Sequence, residues 1–161
     1  MVDSKSKGTR AESDAKKVLI QHTKLNWQRT PGSGALNEAH KLKGDIYLPD
    51  CKNRFCIEVK HYKDDHLTSK ILTLKTPQLL IWWKQALDQA EKVGMEPLLL
   101  FKFDRSKWFV AFSTHFFKEN DHFTQDYRYL TLFTDKKDHQ LFICQLEDWL
   151  VKDKPEFILN G

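Results

Sequence analysis

An α/β domain, a central mixed β-sheet flanked by helices, is the architecture that this 161-residue sequence predicts. The first observation is the stretch Gly44 to Lys60, where Phe55, Ile57 and Val59 alternate with Cys56, Glu58 and Lys60 at the period of a strand. Ile46 and Leu48 alternate with Asp45 and Tyr47 before it, and Pro49, Asp50 and Asn53 supply turn chemistry, so the stretch predicts a β-hairpin. The second is a well-signalled helix, with Thr76 as N-cap, Pro77 at the first helical position and Gly94 just past the end. The third is the nearly continuous apolar run Pro97 to Phe103, the mark of a strand covered on both faces. Strand, helix and strand in that order imply a crossover inside a mixed sheet.

The remaining elements follow in chain order. Residues 1–7 are polar and predict a flexible start. From Thr9, the residues Ala11, Ala15, Val18, Leu19 and His22 recur at helical spacing. Glu12 lies on the edge of that stripe, about 20° from Leu19 at roughly 100° per residue, so its carboxylate leans toward the protein body. Thr9 and Glu12 also fit a capping box, and both readings stand open. Leu25 to Thr30 predicts a short strand, followed by Pro31-Gly32-Ser33-Gly34-Ala35. That loop could bring backbone N–H groups close to a phosphate, but it lacks the Gly-Lys-Ser/Thr end of a nucleotide loop, so no nucleotide cofactor is expected. His61 to His66 reads as a polar loop, and 67–75 takes no firm assignment. The helix after Thr76 buries Leu79, Trp82, Trp83, Ala86, Ala90 and Val93 and carries Gln78, Gln85 and Gln89 along one edge. Its apolar surplus, the Trp pair above all, is also what a dimer interface would use. Trp108 to Phe112, Tyr127 to Phe133 and Gln140 to Cys144 predict further strands, and Leu146 to Val151 a last helical turn.

Composition narrows the function classes. The length suits a single domain over 1–161, with 1–7 a flexible segment and 114–161 a C-terminal extension. A formal charge of +4 permits a polyanionic partner without requiring one. Cys51, Cys56 and Cys144 show no C-x-x-C pairing and read as reduced thiols of a cytoplasmic protein. No stretch approaches the roughly 20 apolar residues of a membrane span, and the start lacks a signal peptide's apolar region. The histidines, His61 and His66 among them, lack zinc spacing.

The chemistry-bearing constellation sits on the hairpin. If both apolar rows face one core, Asp45, Glu58 and Lys60 share the other face. Two carboxylates there suit a hard cation such as Mg²⁺, which takes oxygen ligands and keeps waters, and the lysine beside them can position or deprotonate a water. The plain alternative is a solvated strand on which Glu58 and Lys60 only pair, an arrangement worth little.

The order of features carries more information than any one of them. Lys7-Gly8-x-x-Ala11-Glu12 opening a helix, Arg29 and a Gly-Ser-Gly loop, Gly44-Asp45, and Ile57-Glu58-Val59-Lys60 together resemble the archaeal-type Holliday junction resolvases of the PD-(D/E)XK nuclease superfamily. The resemblance continues through Lys63-Asp64-Asp65-His66-Leu67, Gly94-x-x-Pro97, Lys102-Phe103, Trp108-Phe109 and Ser113. It implies a restriction-endonuclease-like core and a Mg²⁺-dependent endonuclease, with Mn²⁺ as substitute, that acts as a homodimer on four-way DNA junctions. It implies that Asp45, Glu58 and the Val59 carbonyl hold the metal, that Glu12 completes the acidic cluster, and that Lys60 acts on the attacking water. Arg29 and Ser33 match positions at the scissile strand, with Lys7, Arg10, Lys63 and His66 as further DNA contacts. The cytoplasm of a cell, at its nucleoid, or of a viral host would be its location. Ser13 departs from the basic residue usual after the helix glutamate, and the segments Gly34–Gly44 and Leu67–Pro77 are longer. A literal Pro49-Asp50 lies in the hairpin turn, so Asp45 is the preferred acid. A nuclease for other DNA, restriction-like or nicking, is the alternative within the same chemistry. A DNA-binding protein without catalysis and an assembly module built on the Trp-rich helix are alternatives from other classes.

Overall fold

The computed structural model describes residues 4–31, 44–119, 126–135 and 140–158. A sheet of seven strands in the order β1-β2-β3-β4-β5-β7-β6 forms its centre. The chain runs α1 (Ser4–Thr23), β1 (Gln28–Arg29), β2 (Ile46–Tyr47), β3 (Phe55–Tyr62), α2 (Lys70–Thr73), α3 (Gln78–Val93), β4 (Glu96–Phe103) and β5 (Phe109–Ser113). It continues with α4 (Thr114–Glu119), β6 (Tyr129–Leu132), β7 (Leu141–Gln145) and α5 (Leu146–Asp148), which passes into a π-helical turn over Trp149–Asp153.

β3 and β4 are parallel and joined through α3, the crossover that the sequence implies; the other neighbouring pairs are antiparallel. Two cores cover the two faces. On one, Ala11, Ala15 and Leu19 of α1 pack on Ile57, Val59, Leu98, Leu100, Val110 and Phe142. On the other, Leu79, Trp82, Trp83 and Ala86 of α3 pack on Leu99, Phe101, Phe103, Ala111 and Ile143. Because β4 alternates between the two cores, it is apolar and buried without a break from Pro97 to Phe101, as a doubly covered strand must be. The segment after Ser113 is part of this sheet, since β7 lies beside β5 and β6 forms the edge.

Several boundaries differ from the sequence expectations. Helix α1 begins at Ser4, so Thr9 lies inside it and caps nothing. Extending a helix backward from an anchored stripe adds a hydrogen bond per residue without a new nucleus, so a polar first turn is tolerated. Pro77 rather than Thr76 is the N-cap of α3, with ψ 141, while Gly94 ends it at φ 66 as expected. Trp82 and Trp83 are 1% and 0% exposed, which removes them as an interface: both are core. His61 and Tyr62 belong to β3 rather than to a loop. Leu25 to Trp27 and Thr30 stay outside β1, which is only two residues long. No helix among the described residues is long and apolar enough to cross a membrane. Cys51, Cys56 and Cys144 are free thiols, the latter two buried.

Candidate active site

The site forms where the short strand β2 meets β3. Ile46 stands opposite Ile57, and Arg29 of β1 stands opposite Ile46. The Asp45 N–H donates to the Ile57 carbonyl at 2.6 Å, and the Thr30 N–H donates to the Asp45 carbonyl at 3.0 Å. Asp45 is thus pinned by its backbone on both sides. Gly44 makes the approach possible: at φ +95 it lies so close that a Cβ would sit 2.9 Å from the Ile57 backbone N and O.

The turn between the arms is held by one buried side chain. Asn53 accepts from the Leu48 N–H at 2.8 Å and donates to the carbonyls of Leu48, at 2.8 Å, and Cys51, at 3.2 Å. An asparagine side chain here imitates a strand neighbour, which is why Asn suits the position better than a second Asp.

The side chains then converge. The Val59 N–H donates to Asp45 Oδ2 at 2.7 Å, and the Asp45 and Glu58 carboxyls are close enough to share a hydrogen bond. Both titrate high. Burial is the main cause in each case, and mutual repulsion adds to it for Glu58, which is pushed up to about 8. Asp45 is pushed up to about 6 by burial and by the charge of Glu12, against the opposing pull of the Val59 N–H and Lys60. The charge of Glu12 also raises Glu58, and Lys60 lowers it, so the four side chains form one electrostatic unit.

Glu12 reaches this cluster from α1 and is gripped there, with Arg29 Nε donating to Glu12 Oε2 at 3.0 Å. The inward lean of Glu12 is therefore realised, and the capping box is not. Among the described residues no three His, Cys, Asp or Glu side chains converge into a ready-made metal cluster. What the site offers a cation is the oxygen set of Asp45 and Glu58, two half-buried carboxyls beside each other, with Glu58 repelled chiefly by Asp45 and Asp45 by Glu12. Ile57 and Val59 turn their backbone groups to the β2 side, so the Val59 carbonyl points the same way as the N–H bonded to Asp45. Hard oxygen donors and surplus negative charge fit a divalent cation of the Mg²⁺ type.

The other candidates are dispersed. Lys7 lies 4.0 Å from Asp104, which also meets His61 at 2.8 Å. Arg10 and Lys63 are exposed. His66, half-buried, packs its ring against Tyr62, Trp82 and Phe103 with centroids 5.5–5.8 Å away. Ser33 and its glycine loop lie outside the described residues. One neighbour escaped the sequence reading. Tyr62 continues the alternation of Glu58 and Lys60 and shares their face of β3, a signal hidden by assigning 61–66 to a loop.

Residues 3–160 match the family model described as "Phage putative PDDEXK endonuclease". The chain is similar to "Protein D14" of Escherichia phage T5, being 37% identical over a 153-residue alignment, with 92% of each chain covered. It is also similar to a solved structure of Archaeoglobus fulgidus Hjc, described as a Holliday junction resolvase from an archaeal hyperthermophile. That likeness has 19% identity and a TM-score of 0.42 over 86% of this chain and 88% of the other.

Proposed function

The chain belongs to the phage PDDEXK endonuclease family, and from that premise we propose that it is a structure-selective DNA endonuclease that resolves four-way junctions. It would introduce paired, symmetrical nicks as a homodimer, with Mg²⁺ as cofactor and Mn²⁺ able to substitute. The observation that carries the reading is the convergence of Asp45, Glu58 and Lys60 at the β2–β3 junction, with both carboxyls titrating far above their ordinary range.

Asp45, Glu58 and the Val59 carbonyl are the groups that would hold the cation, which supplies Lewis acidity to the phosphoryl group when bound. The chain's own residues account for the rest. Lys60, on the same face as Glu58, hydrogen-bonds and orients the attacking water, and its ammonium offsets charge that builds on the phosphoryl oxygens. Glu12 adds charge to the cluster and holds Arg29 at its border, where the guanidinium can meet the scissile strand. Lys7, Arg10 and Lys63 supply phosphate contacts that give affinity without reading sequence. Ser33 is assigned to the scissile strand by resemblance.

The homodimer part of the reading follows from substrate symmetry, since paired nicks on opposed strands need two sites related by a two-fold axis. A single nuclease domain over 1–161 suits that use, and the reducing cytoplasm of a host suits its free thiols.

The test is cleavage of a labelled synthetic four-way junction in Mg²⁺, beside duplex and single strand of the same sequence, with wild type and Asp45→Asn. Paired symmetrical nicks confined to the junction and lost in the variant support the reading. Equal cutting of duplex would replace it with a nicking nuclease for other DNA. Tight binding without cutting in either metal would make the chain a binding protein. Size-exclusion chromatography giving a monomer with and without DNA would overturn the two-fold arrangement.

A further inference from the structure

Tyr62 stands two residues beyond Lys60 and four beyond Glu58 on one face of β3, so the three side chains follow each other at about 6.6 Å along the strand. It is 42% exposed, although the aromatic cluster beneath it is closed: Trp82 and Phe103 are 1% and 2% exposed. Its ring leans on Trp82 with centroids 4.7 Å apart and planes at 49°, and the edge of His66 abuts it at 5.8 Å and 78°. His66 is itself seated on Trp82 at 5.5 Å and on Phe103 at 5.8 Å. The ring is therefore buttressed from below and from one side, with its remaining surface open to solvent at the end of the catalytic row. Lys63, exposed, follows it directly, and Lys60 precedes it. A fixed aromatic face beyond Lys60 on the same strand face is the chemistry that takes a nucleobase while its backbone stays near positive charge.

We propose that Tyr62 is a stacking platform for an unpaired nucleobase one or two nucleotides from the scissile phosphate. The inference rests on the reading of the Asp45–Glu58–Lys60 row as a DNA-cleaving site and adds a source of selectivity to it. In a continuous duplex each base is held between stacked neighbours and offers no face. At a branch the stack is interrupted, and a base beside the cut can leave its pair and settle on the ring. Because the ring is already immobilised by Trp82 and His66, little side-chain freedom is lost on stacking. Every base has a π-face, so the platform selects for an open base rather than for a sequence.

The test uses the full chain and two DNAs, a four-way junction and a duplex with one unpaired nucleotide, each carrying 2-aminopurine near the cut or at the unpaired position. Binding is read in Ca²⁺ to hold cleavage back. Wild type should change the 2-aminopurine emission on binding, and Tyr62→Ala should lose that change and weaken affinity for the branched DNA by roughly tenfold, the size of one base–aromatic stack. Tyr62→Phe should keep both, which separates the ring from its hydroxyl, and near-wild-type thermal unfolding of each variant excludes a folding defect. In Mg²⁺ the loss should fall on KM for branched DNA more than on kcat. An unchanged emission response in Tyr62→Ala, or equal losses in Tyr62→Ala and Tyr62→Phe, overturns the platform. Failure of the underlying reading is seen separately, as wild type that cuts neither DNA, whereas the emission change does not depend on cutting.

Discussion

Two partly buried titratable clusters sit toward opposite ends of the sheet, and they are built in opposite ways. At the β2–β3 end, Asp45 and Glu58 confront each other, acceptor against acceptor, and both are pushed up. At the β7 end, the Tyr127 hydroxyl donates to the Asp153 carboxylate, and burial together with that hydrogen bond pushes Tyr127 up. Cys144 beside them is also raised, by burial first and then by Asp153 and Asp148. A shifted titration therefore does not by itself mark a working site. The Tyr127–Asp153 pair has matched donor to acceptor, and its proton stays where it is. The Asp45–Glu58 pair has acceptors in excess, so it is complete only with a shared proton or a cation.

That contrast can be broken most severely at Glu58. Glu58→Gln should lower DNA cutting by at least about 100-fold, the scale of losing one preorganised charged group at a reaction centre. The same change should raise the metal-free unfolding temperature at pH 8 by roughly 2–4 °C per kcal/mol of repulsion relieved. A variant that lost both activity and thermal stability would make the two clusters alike.

The pH dependence sharpens the same point. Asp45 and Glu58 titrate higher folded than unfolded, so the folded protein binds more protons between about pH 4.5 and 8. Stability contributed by the pair is thus fully present below the unfolded carboxyl range and is lost as pH rises through about 6 and then about 8. Thermal melts without metal should fall across that window in wild type and flatten in Glu58→Gln. Mg²⁺ should restore stability more at pH 8 than at pH 6, because it competes with protons for the same oxygens. A flat profile in wild type would sink this account.

Tyr127→Phe probes the matched cluster, where the expected loss is about 1–3 kcal/mol of stability, since the half-buried Asp153 carboxylate loses the Tyr127 hydroxyl. Urea unfolding measures it, and cutting by the folded protein should stay as it was. The smallest effect belongs to Arg29→Ala. Its ion pair with Glu12 is partly exposed, at 32% and 23% for the two side chains, so stability should change by about 1 kcal/mol or less. If Arg29 also meets a phosphate, the salt dependence of DNA binding should lose roughly one unit of slope in a titration against ionic strength.

Much of this is legible in the sequence alone. The alternation of Phe55 to Lys60 fixed the face of Glu58 and Lys60, and the helix before Pro97 fixed the parallel pairing of β3 and β4. Both signals are local periods that one strand or helix imposes on its own residues. The strand limits were less legible: β2 has two residues because Asn53 and the Gly44 approach hold the hairpin in place of a longer ladder. Trp82 and Trp83 looked like surplus apolar surface because a helix does not announce how much sheet will cover it.

The sequence by itself determined the α/β class, the crossover and the strand face that Glu58 and Lys60 share, since these depend on spacing within a few residues. Only the tertiary structure decided that Glu12 is held by Arg29 rather than by Thr9, that β6 and β7 complete the same sheet, and that Tyr62 extends the row of Glu58 and Lys60. Those are contacts between segments far apart in the chain. Their outcome depends on which surfaces meet when the two cores close, and no local period records that.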